Sequence, residues 1–265
     1  MNQVYQQSLR KILSTSWKGK PIWEYIKDET LTCAPPFKGD LYELTSHKLM
    51  FFGHAVNGWE VDFPNCDTLD KTLDSILEQP NGLNTVVVEK GFPYITKSGK
   101  TRVYRHIHSK FFRLIKQVLE FQGESDSPTS GETWYHDSKE WYKKFVWSNL
   151  YVVAPRRTGN PSGSLINANL KEYTDLFVSQ IEEYKPDFAI VLPLSGYFAW
   201  DNAPTFDKRL DSYSKCNIEN TIIGEGTLGK TRIIVCTRPD RWGMSKNDVQ
   251  NMAKCISDYI NRYCN

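Results

Sequence analysis

Apolar positions along this chain follow two periods. Tyr5 to Leu13, Thr68 to Gln79, Lys110 to Phe121, Leu170 to Tyr184 and Asp248 to Tyr263 repeat them every three to four residues. In the second of these, Leu69, Leu73, Ile76 and Leu77 form one stripe, and Pro80-Asn81-Gly82 closes it. That spacing predicts amphipathic helices. Short unbroken apolar runs make the second pattern: Leu49 to Phe52, Phe145 to Val153, Phe188 to Leu192 and Arg232 to Thr237. Each is bounded by turn formers and reads as a buried strand, with Ile222-Ile223 as a further short one.

Strands and helices alternate, so the chain reads as α/β with a parallel sheet and helices on both faces. The C-terminal ends of parallel strands share one edge. The polar segments after them, GHAVNGW, Asn149 onward, Leu194-Ser195-Gly196 and TRPDRW, can therefore converge on one cleft. No repeat or long linker divides the chain. The expectation is one domain over residues 1–265, with residues 1–45 as an N-terminal helical wrap and GESDSPTSGET as a loop.

Composition changes this picture little. A chain of 265 residues with 40% hydrophobic and 24% charged residues suits one sizeable core. Aromatics reach 13%, enough for stacking surfaces as well as core. A net charge of +2 excludes a histone-like binder and leaves room for a local basic patch. The six cysteines form no CxxC pair and read as free thiols. No run approaches the roughly 18 apolar residues of a membrane span, and the N-terminus lacks a signal-peptide core, so a cytoplasmic location is expected.

Gly224 to Thr231, GEGTLGKT, matches the phosphate-loop pattern GxxxxGK[ST]. That mechanism needs a helix to begin at the lysine. The residues that follow, RIIVCTRP, are β-branched and end at proline, so a strand-to-strand connection is expected and nucleotide hydrolysis ranks third among the functions. The His-x-His of Arg105 to Lys110 lacks a third ligand at metal-binding spacing.

Taken in order, the strand-end motifs resemble those of the uracil-DNA glycosylase superfamily. FFGHAVNGW is similar to that family's first motif, G-x-A-P-G or G-x-N-P-G, with Gly53 and Ala55 matching. WSNLYVVAPRRTGNPSG reproduces the order of its middle motif through Ser148, Asn149, Pro155, Gly159, Asn160 and Pro161. Phe188 to Leu192 with Ser195-Gly196 resembles the next strand and loop. IIVCTRPDRWG resembles the last motif, with Arg238 where the family has histidine. Ala55 stands where some branches hold an Asp or Asn that positions water.

The resemblance implies a three-layer α/β/α sandwich around a central, mainly parallel four-stranded sheet. It implies a monomer that hydrolyses the N-glycosidic bond of a deaminated or damaged base, with no metal or organic cofactor. DNA would be the partner, single-stranded or with an extruded base. Gly53, Ala55, Trp59, Phe63 and Asn149 would bind the base: Asn149 by reading its edge, Trp59 or Phe63 by stacking. His54 and Asn57 would shape the water site, and Arg238 would stabilise charge on the leaving base. Arg156, Arg157 and Arg241 would meet DNA phosphates, with Lys143-Lys144 nearby in sequence. A non-catalytic nucleic-acid or nucleobase-binding module on the same fold is the alternative.

Overall fold

The computed structural model describes residues 3–55, 63, 66–78, 92–95, 101–104, 109–124, 141–156, 159–194, 198–199, 205–239 and 244–264. The chain begins with α1 (Gln3–Ser14), a ribbon of β1 (Ser16–Trp17) and β2 (Lys20–Pro21), α2 (Ile22–Lys27), β3 (Leu31–Cys33) and β4 (Phe37–Lys38). Next come β5 (Leu49–Ala55), α3 (Leu69–Leu77), a ribbon of β6 (Phe92–Ile95) and β7 (Thr101–Tyr104), and α4 (Lys110–Phe121). After α4 follow β8 (Val146–Tyr151), β9 (Val153–Pro155), α5 (Gly163–Ala168), α6 (Leu170–Tyr184) and β10 (Phe188–Val191). The chain finishes with β11 (Ser212–Ile218), β12 (Ile222–Leu228), β13 (Thr231–Cys236) and α7 (Lys246–Cys264).

Seven strands form the main sheet, in the order β11-β12-β13-β10-β5-β8-β4. The middle four, β13, β10, β5 and β8, run parallel to one another. Antiparallel strands extend both sides: β12 and β11 beyond β13, and β4 beyond β8. The sheet is thus mixed and wider than the four strands the apolar runs indicate. β12 extends the short strand expected at Ile222-Ile223, while its full length, β11 and β4 escape that reading for a physical reason. β11 is largely exposed and polar, Gly224 and Gly226 interrupt β12, and β4 has two residues.

Burial on both faces explains why the parallel strands are apolar throughout. Alternate side chains divide between two cores. Leu49, Phe51, Phe188, Ile190, Ile234 and Cys236 pack with α4 and α7 on one face. Met50, Phe52, Ala189, Val191, Ile233 and Val235 pack with α1, α3 and α6 on the other. Helix starts are fixed by side-chain caps: Thr68 on α3, Ser109 on α4 and Ser162 on α5 each accept a backbone N–H. Ser245 and Asp248 exchange bonds at the start of α7. Among the described residues no helix is long and apolar enough to cross a membrane.

The phosphate-loop match is a hairpin. β12 runs to Leu228, which pairs with Thr231 across a turn at Gly229-Lys230. Gly229 takes φ +58°, the left-handed conformation glycine adopts at no steric cost, and its N–H donates to Asp211 Oδ2 at 2.7 Å. The Thr231 hydroxyl donates to the buried Pro186 carbonyl at 2.6 Å. No helix starts at Lys230, so the phosphate-loop geometry is absent from this segment.

Candidate functional site

Among the four parallel strands β5 comes first in the chain, and β8 and β10 flank it on opposite sides. The connections therefore diverge between β5 and β10, the switch point at which open α/β sheets bind ligands beyond the carboxyl ends of their strands. β5 runs to Ala55 rather than stopping near Phe52, because its ladder with β8 continues through Gly53–Asn149 and Ala55–Tyr151. His54 consequently lies in a strand, not in the polar loop expected from the glycine break.

His54 is 3% exposed and sits edge-on to the Tyr151 ring, with centroids 4.9 Å apart. Its Nδ1 accepts the Leu194 N–H, from just beyond β10, at 3.4 Å. The two strands at the switch point are thereby tied together at their ends. A neutral imidazole accepting through Nδ1 carries its proton on Nε2. Burial, and then the charge of Arg238, lower the His54 pKa to about 3. The ring is neutral at physiological pH and a weak proton acceptor.

Arg238 follows β13 and is half-buried. The preceding Thr237 holds the strand end in place: its N–H donates to the Thr221 carbonyl at 2.8 Å and its hydroxyl to the Asn220 carbonyl at 3.3 Å. His54, Leu194 and Arg238 thus form one group.

A second group lies on the other face of β5, beside α4. Gly53 and Asn149 are register partners. A Cβ built on Gly53 would stand 2.6 Å from Asn149 Oδ1 and 3.6 Å from Phe111 Cζ. Only glycine lets the amide lie this close to the strand. Asn149 is 4% exposed, and among the described residues no hydrogen-bond partner meets its side chain. Asn149 thus lies inside β8, two residues before its end at Tyr151, with its amide able to take a further hydrogen-bond partner.

The sequence does not single out Phe111. Its signal is the pair Phe111-Phe112 on an amphipathic helix, where both rings pack against the core but Phe111 only in part. Phe112 is 3% exposed, and Phe111 is left half-buried over Gly53.

Other predicted residues fall elsewhere. Phe63 packs against the core on the opposite face from Asn149 and accepts a bond from Cys66 Sγ at 3.4 Å, which suits packing rather than stacking beside Asn149. Ala55 is half-buried and touches both cores. Arg156 pairs with Glu29 at 3.3 Å and its side chain is 13% exposed, so its charge is turned toward its own surface. Lys144 Nζ donates to the Glu124 carbonyl at 2.7 Å and pairs with its carboxylate at 3.3 Å. Asn57, Trp59, Arg157 and Arg241 lie outside the described residues, as do the His-x-His at 106–108 and most of the GESDSPTSGET loop. Among the described residues no cluster of three or more His, Cys, Asp or Glu stands where it would hold a metal ion. No family model matches the chain, and no curated protein matches it.

Proposed function

We propose that this protein binds a nucleobase swung out of a DNA strand at the C-terminal ends of β5, β8, β10 and β13, and hydrolyses its N-glycosidic bond. The observation that carries the reading is the Asn149 amide, buried, unpaired among the described residues, and one strand from the switch point. An amide presents a donor and an acceptor side by side, the pattern that reads the edge of an extruded base. Four parallel strands with helices against both faces support the likeness to a three-layer α/β/α domain of the uracil-DNA glycosylase type.

In this reaction the bond between C1′ and the base nitrogen breaks, and its electron pair leaves with the base. A water oxygen bonds to C1′, and a proton of that water ends on the departing base. In this reading Arg238 stabilises the negative charge that develops on the leaving base. A conjugate acid near pKa 3 leaves His54 too weak a base to take the proton of water at neutral pH. Its role in this reading is orientation: a neutral ring held by Leu194 and Tyr151 presents a fixed Nε2–H.

One observation favours a second reading, a base-binding module without hydrolysis. The water-positioning Asp or Asn of the resembling family is replaced by Ala55, and His54 does not compensate as a base. Oligonucleotides carrying uracil, hypoxanthine or xanthine separate the two. Alkali-labile abasic sites appearing from one of these support hydrolysis. Tight binding without excision selects the binding module, and neither binding nor excision refutes both.

A further inference from the structure

We draw no further inference here: the strongest candidate, the surface patch at the amino-terminal edge of the sheet where Leu44, Phe121 and Tyr263 are exposed, is an unpartnered apolar face, and nothing in the structure shows what covers it.

Discussion

Gly53→Ala tests the geometry of the Asn149 side of the site. The new methyl would stand 2.6 Å from Asn149 Oδ1, and ordinary contact begins at about 3.4 Å. The oxygen must therefore retreat by about 0.8 Å. Phe111 Cζ, at 3.6 Å, is already at ordinary distance and need not move. The strand cannot give way, because β5 is paired on both sides by β8 and β10. Overfilling a packed site costs about 1–3 kcal/mol, while replacing a strand glycine by alanine returns roughly 0.5–1 kcal/mol of chain entropy. The net expectation is a loss of about 1–2 kcal/mol in urea denaturation, with an unchanged slope. A double-mutant cycle with Asn149→Ala locates the cause. Once the amide is gone, Gly53→Ala is expected to be neutral or slightly stabilising. The same loss in both backgrounds would show that Asn149 and Gly53 are not coupled, and the account of their close approach would fail.

Three further outcomes follow from particular contacts. His54 has a folded pKa of about 3 against an unfolded value near 6.5, so between those limits the unfolded chain binds more protons. Stability is then full above about pH 6.5 and is lost as pH falls toward 3, by on the order of several kcal/mol. Denaturation midpoints across this window are expected to fall less steeply in His54→Gln, and an unchanged slope would contradict the burial argument. Thr231→Val removes a buried bond to the Pro186 carbonyl and is expected to cost about 1–2 kcal/mol, whereas exposed Lys230→Ala stays within about 0.5 kcal/mol. Neither variant is expected to alter ATP or GTP turnover, which a phosphate assay checks. Glu124 accepts both the N–H and the hydroxyl of Ser46, at 2.7 and 2.8 Å. Burial would raise its pKa, but those bonds and Lys144 hold it below the ordinary value. Glu124→Gln is expected to cost about 1–2 kcal/mol by thermal melting at pH 7, with the gap closing in acid as the wild-type carboxylate protonates.

The helices were legible because periodicity and caps agree. Lys110 to Phe121 and Leu170 to Tyr184 begin and end where the sequence places them, the first behind its Ser109 cap and the second at Lys185, before Pro186. The parallel strands were legible because burial on both faces demands unbroken apolar runs. β5 was cut short in the sequence reading for an instructive reason. Gly53 interrupts the apolar run but not the ladder, since a backbone hydrogen bond does not depend on a side chain. β11 was invisible because an exposed edge strand needs no apolar residues. The positions of Asn149, inside β8, and Arg238, just after β13, were legible because both belong to recognisable apolar strands. The contact of Phe111 with Gly53 was not, because it joins positions 58 residues apart in the chain. Arg156 misled for a similar reason: a pair of arginines reads as a basic patch until Glu29 is placed beside one of them.

The central claim is that a base lies against Asn149 at the ends of the parallel strands. Fluorescence anisotropy with a labelled uracil-containing single strand, titrated with wild type and with Asn149→Ala at one fixed salt concentration, tests it most directly. Removing an amide that makes hydrogen bonds to a base is expected to cost about 1–3 kcal/mol, a 5- to 150-fold weaker complex, with no loss of folding stability. Equal affinity in the two proteins would contradict the account.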